Sequence, residues 1–188
     1  VQPSSAAQTV ARPPFLAGLL IGGWLSLLIG AGANAGWLFM ALKRAGVQFA
    51  SRDTRMLDAE ETGRVLAGVL AQPAFLAVFM LGMVAGPAGA WLLLRRARTG
   101  GPGARRLRWA AAGLVVAGAI GGAQLALART IADHAVERTE ALVSDDQPRA
   151  AAARSALDTA HRASEAAYAA QTLLVAAAAL ILVPRPRP

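Results

Sequence analysis

Four stretches of this chain carry no charged residue: Phe15–Leu42, Val65–Leu94, Trp109–Ala128 and Ala166–Pro184, of 28, 30, 20 and 19 residues. About 20 apolar residues in a helix cross the hydrocarbon core of a bilayer, so each stretch is long enough to be a span. A backbone crossing lipid must satisfy its own polar groups, and continuous apolar runs of this length do so as α-helices. The expected fold is therefore all-α: a four-helix transmembrane bundle, threaded up and down. Apolar residues make up 55% of the 188 and charged residues 16%. Mean hydropathy is +0.44, which suits spans better than a soluble core.

Alternate threading divides the charges by sign. The N-terminus, the 95–108 loop and the C-terminus fall on one side with Arg12, Arg95, Arg96, Arg98, Arg105, Arg106, Arg108, Arg185 and Arg187, and with no acid. All 11 acidic residues fall on the other. The positive-inside rule makes the arginine side cytoplasmic, with both termini inside. The net charge of +8 thus lies in short segments beside spans, where it orients the chain and attracts anionic headgroups. Nucleic acid is not the partner this pattern implies. Phe15–Gly32 followed by Ala33-Asn34-Ala35 mimics a signal peptide and its cleavage site. A lone Arg12 ahead of it, and an apolar run continuing to Leu42, favour an uncleaved first span. The preference for Arg over Lys, with abundant Ala, has the look of a bacterial coding bias and suggests a bacterial cytoplasmic membrane.

Residues 1–14 read as a flexible cytoplasmic tail, 15–184 as one membrane domain and 185–188 as a second short tail. Helix 1 is expected from Pro14 to Lys43, followed by an outer loop over 44–57. Asp58 with Glu61 forms a capping box that starts helix 2 at Ala59. Pro73 and Pro87 should kink that helix. Gly100-Gly101-Pro102-Gly103 makes a turn, so helices 2 and 3 form a hairpin. No Gly or Pro interrupts the chain from Arg129 to Gln147. Helices 3 and 4 should therefore extend beyond the membrane as an outer hairpin over 129–165. Ile131, Ala135 and Leu142 can face Ala153, Leu157 and Ala160 across it. Ser144-Asp145-Asp146-Gln147-Pro148 supplies the turn and the cap of helix 4.

Small residues recur at four-residue spacing: Gly18/Gly22 and Gly32/Gly36, Gly82/Gly86, Gly118/Gly122. Such pairs let membrane helices approach closely. They serve packing within the bundle, or docking of a partner subunit or a second copy. The polar residues within the spans are Ser26, Asn34, Gln72, Gln124, Gln171 and Thr172, and none is ionisable. Asn34 and Gln124 read as interhelical hydrogen-bond partners, whereas an ion-coupled pathway needs a buried charge. A polar path through Asn34, Gln124 and Gln171 would instead mark a permeation subunit. His134 and His161 fall at similar heights on the two arms of the outer hairpin, beside Asp133, Glu137, Asp158 and Glu165. Facing helices can hold haem or metal in this way. The interleaved Arg129, Arg138, Arg154 and Arg162 make a solvated, ion-paired hairpin the simpler reading. Without cysteine, thiolate chemistry and cysteine-ligated metals are excluded. No nucleotide-binding, zinc-protease or serine-hydrolase pattern occurs. No cofactor is expected, and no enzymatic activity.

Three segments carry a resemblance. Gly32-Ala33-Asn34-Ala35-Gly36-Trp37-Leu38-Phe39 is a small-then-aromatic second half of span 1. Val47-Gln48-Phe49, then Asp58-Ala59-Glu60-Glu61-Thr62-Gly63-Arg64-Val65-Leu66-Ala67-Gly68, leads into span 2. His161-Arg162-Ala163-Ser164 opens span 4. In this order the chain resembles the transmembrane-protein-205-like family, also called domain of unknown function 4149. The resemblance implies a small four-span membrane protein with no established reaction. Together these readings make the chain a non-enzymatic scaffold or accessory subunit, with an oligomeric permeation subunit as the alternative. Arg95, Arg96, Arg98, Arg105, Arg106 and Arg108 would meet lipid headgroups.

Overall fold

A computed structural model describes residues 13–45, 59–100 and 103–183. The Asp58–Glu61 capping box, the loop segment 46–58, residues 101–102 of the glycine turn, the tail 1–12 and the C-terminal arginines lie outside the described residues. Four helices account for nearly all the rest: α1 (Pro13–Ala45), α2 (Ala59–Arg98), α3 (Ala104–Val143) and α4 (Gln147–Leu182). There is no strand among the described residues. All four helices are long and apolar enough to cross a membrane.

Local chemistry accounts for the helix ends. Pro13 and Pro14 open α1, where a missing N–H removes no helix hydrogen bond. α2 continues as one helix through Pro73 and Pro87. Its far end meets α3 through Gly100 and Gly103, whose φ angles of 73° and 113° suit a residue without a Cβ. α3 passes Arg129 without a break and stops at Val143. There the N–H of Asp146 bonds the carbonyl of Ala141 (2.8 Å) and that of Asp145 bonds Leu142 (3.3 Å). This is a Schellman ending, with Asp145 rather than glycine in the left-handed position at φ 55°. The Asp146 carboxylate then caps α4 by accepting the Arg149 N–H at 3.1 Å.

α1 packs on α2 and α4, and α3 packs on the same two helices. From α1 the core takes Ala17, Ile21, Trp24, Leu28 and Ala31, a row at helical spacing. Val78, Ala85, Ala90 and Leu93 of α2, Ala110, Ala111, Leu114 and Ala117 of α3, and Val175 and Ala178 of α4 complete it. Beyond Ala31 no described residue of α1 is buried, and Trp37 and Met40 stand 67% and 53% exposed. In the α3/α4 hairpin, Ala141, Ala153 and Ala160 are buried while Ala135 is exposed. The expected contact of Ala135 is thus corrected: Ala141 occupies the seam and Ala135 lies outside it.

Candidate functional site

Glutamines lock α3 to α4. Gln124 is fully buried; its Nε2 donates to the Ser164 carbonyl (2.9 Å) and its Oε1 accepts from the Ser164 hydroxyl (2.7 Å). Gln171, also fully buried, donates from Nε2 to the Ala117 carbonyl at 3.0 Å. The donor stands on α3 in one contact and on α4 in the other. Each pair is displaced by seven residues on both helices, so the two bonds repeat one register. Tyr168 links α4 to α1 by donating its hydroxyl to the Leu28 carbonyl. Its ring meets Phe75 edge-on, with centroids 5.4 Å apart, and Phe75 stacks on Phe79 at 6.0 Å. Beside this cluster the indole Nε1 of Trp24 and the Oε1 of Gln171 are buried without a hydrogen-bond partner.

The glycines divide into two groups. A Cβ on Gly86 would lie 2.7 Å from the Leu114 carbonyl oxygen and 3.0 Å from the Gly118 Cα. One on Gly82 would lie 2.7 Å from the Trp24 ring, and one on Gly118 3.2 Å from the Gly82 carbonyl oxygen. A Cβ on Gly32 would lie 3.3 Å from the Tyr168 hydroxyl, and one on Gly122 would be in ordinary contact with Met83. A Cβ on Gly18, Gly22 or Gly36 would meet nothing within 4 Å beyond its own helix turn, which corrects their assignment to packing inside the bundle. They face outward from α1, on the side where the core row is absent. The four-residue rule missed Gly121, where a Cβ would lie 3.0 Å from Gln171 Nε2 and 3.1 Å from the Phe79 carbonyl oxygen. It sits three residues from Gly118 and from Gln124, on the same α3 face, and that spacing was the available signal.

The outward face of α1 is not purely apolar. Ser26 and Asn34 are exposed, and their side chains make no hydrogen bond to another described residue. With Gly30, Ala31, Ala74, Ala77 and Val78 they line a groove of about 390 Å³ between α1 and α2. Gln124 and Gln171 lie apart from it in the core, so the three polar residues do not line one path.

At the α2–α3 turn, Arg95, Arg96 and Arg98 end α2 and Arg105, Arg106 and Arg108 open α3, all six exposed. Arg95 lies over the Trp91 ring at 5.6 Å, and Trp91 and Trp109 are 59% and 67% exposed. Tryptophan beside arginine at a helix end is the composition of a membrane–water interface.

The histidines find separate partners. His134 pairs with Glu137 on its own helix at 3.6 Å, and His161 with Glu165 on its own helix at 3.2 Å. Arg149 reaches back from α4 to Glu137 and Glu140, each at 3.6 Å. His134 lines an open groove between α3 and α4, of which His161 is not a wall. Among the described residues no group of three His, Asp or Glu converges as a metal site would require. Comparison of the chain with protein-family models, with curated proteins and with solved structures found no match.

Proposed function

We propose that this chain is a non-enzymatic integral membrane protein, a scaffold or accessory subunit that docks another membrane protein on the outward face of α1. In this reading the helices thread up and down, both termini are cytoplasmic, and α3 and α4 continue beyond the outer surface. The observation that carries it is the α1 row Gly18, Gly22, Ser26, Gly30 and Asn34. These residues follow one another every four positions. The three glycines have open space where a Cβ would be. Such a row is the groove into which a crossing helix lays its own ridge. An amide facing lipid without a partner costs free energy that a docked polar or small-residue helix removes. The likeness to the transmembrane-protein-205-like family belongs to the same proposal, as does a location in the bacterial cytoplasmic membrane.

The test is to purify the chain in mild detergent and identify by mass spectrometry any stoichiometric protein partner. The same is done for a Gly18→Leu, Gly22→Leu double variant. The expected result is a partner retained by the native chain and lost by the variant, with the variant's thermal stability unchanged. A partner retained equally by both would remove α1 as the docking face.

A further inference from the structure

We propose that the outer leaflet is indented along α4, with phospholipid headgroups and water descending beside this helix as far as Glu165. Arg154, Asp158, Arg162 and Glu165 follow one another at steps of four, four and three residues, which keeps them on one side of the helix. All four are exposed. His161 lies on the same side and pairs with Glu165 at 3.2 Å, their side chains 64% and 67% exposed. The buried row Ala153, Ala160, Gln171 and Val175 lies about a third of a turn away around α4. The charged strip is therefore an outer surface of the bundle.

Its depth follows from the helix register. Ser164, the neighbour of Glu165, bonds Gln124 of α3. The first charge outward of Gln124 on that helix is Arg129. Glu165 thus stands about 9 Å deeper than Arg129, at about 1.5 Å per residue. Tyr168 bonds the Leu28 carbonyl of α1, and α1 carries no charge until Lys43, 15 residues further out. The same ring meets Phe75 and Phe79 of α2 edge-on, and α2 carries no charge outward of them until Arg64. Glu165, one turn outward of Tyr168, is level with uncharged stretches of all three other helices.

A charge held at such a depth draws in water or headgroups, or finds a counter-charge. Among the described residues Asp158 and Arg162 have no ion-pair partner. The order of signs identifies the occupant. Along the strip basic and acidic residues alternate, which fits a layer holding both phosphate and ammonium groups. A guanidinium takes phosphate through its fork of N–H donors, and a carboxylate takes an ammonium. Mobile headgroups match this alternation without a fixed register. The strip also continues outward to exposed Arg154, so headgroups and water reach Glu165 from the outer surface rather than through the bundle. Local thinning is a known response of a bilayer to a protein that presents polar groups within its depth.

The inference rests on the membrane insertion proposed above, not on the docking face of α1. Exposed alanines stand within about a turn of this height on all four helices: Ala166 on α4, Ala123 on α3, Ala77 on α2 and Ala33 on α1. With no cysteine in the sequence, each is replaced singly by Cys in the full chain. The variants are placed in sealed vesicles of phosphatidylethanolamine and phosphatidylglycerol. A membrane-impermeant maleimide reads them, because a thiol reacts only where water lets it ionise. Rates are normalised to Ser144→Cys in the α3/α4 turn. Ala166→Cys should label at least tenfold faster than Ala123→Cys, Ala77→Cys and Ala33→Cys. Adding Arg162→Leu and Glu165→Leu should bring Ala166→Cys down to the rate of the other three. Protection of all four would mean that hydrocarbon or a protein covers the strip. Equal labelling of all four would mean that the outer surface lies flat below them. Either result overturns the indentation, as does fast labelling of Ala166→Cys that survives the two leucine changes. Val116→Cys, exposed on α3 and two turns deeper than Ala123, keeps the failures apart: its labelling would mean that the insertion itself is wrong.

Discussion

Gly86 and Gly22 are the same residue type on the same kind of helix, and only one has a neighbour. A methyl group at Gly86 would press within 2.7 Å of a backbone oxygen, which cannot swing aside as a side chain could. Gly86→Ala should therefore destabilise the bundle by about 1–3 kcal/mol, the usual cost of overpacking. Gly22→Ala, with open space around it, should be neutral or stabilising by up to about 1 kcal/mol through helix propensity. Reversible unfolding of both variants in mixed micelles checks the pair. Equal effects would mean that α2 and α3 do not approach through Gly86 and Gly118. The sequence makes both glycines visible but does not distinguish them, because spacing along one helix is silent about what lies across from it. Gly121 shows the converse. It breaks the four-residue pattern, yet it lies against Gln171 and the Phe79 carbonyl because α3 turns that face to both neighbours.

At the scale of the helices, most of the architecture was legible. Four charge-free runs predict four helices, the absence of Gly or Pro after Arg129 predicts one unbroken α3, and the Asp-Asp-Gln-Pro turn predicts the start of α4. Register was less legible, since it depends on pairs of residues on different helices. Gln124 was identifiable as an interhelical partner; Ser164 was not, being outside the charge-free run that marked span 4. Asn34 looked equivalent to Gln124 in sequence and faces a groove on the outside. The Gln124–Ser164 contact is reciprocal, so removing one member strands the other. Gln124→Leu and Ser164→Ala should each destabilise the bundle, and the double variant should lose less than the sum. A coupling of about 0.6–1.7 kcal/mol is expected, the range for hydrogen bonds between membrane helices. A double-mutant cycle in mixed micelles measures it, and strict additivity would mean that the bond does not fix the α3/α4 register.

For the whole molecule, the end bearing Arg95 to Arg108 has a charge arrangement that helix stability does not explain. Arg95, Arg96 and Arg98 close α2, where a helix's negative end welcomes cations. Arg105, Arg106 and Arg108 open α3, where the positive end of the helix opposes them, by about 0.3–1 kcal/mol each. No acid stands in the first turn of α3 to offset them. Six exposed guanidinium groups gathered against that opposition suit an anionic surface outside the protein. Near an anionic leaflet each basic residue contributes about 1 kcal/mol, so four of them supply about 4 kcal/mol of orientation and lipid attraction. Replacing Arg95, Arg96, Arg105 and Arg106 by Gln should therefore invert a fraction of the molecules and lower the anionic lipid that co-purifies. Single cysteines at Thr99 and Ser144, probed from one side of sealed vesicles, report orientation directly, and lipid analysis of the purified protein reports retention. The lipid component should also weaken with added salt in the native chain, because exposed charges are screened over about 8 Å at physiological ionic strength. Unchanged accessibility together with unchanged lipid would mean that the arginines neither orient the bundle nor hold headgroups, and their role would then lie with an acidic protein surface.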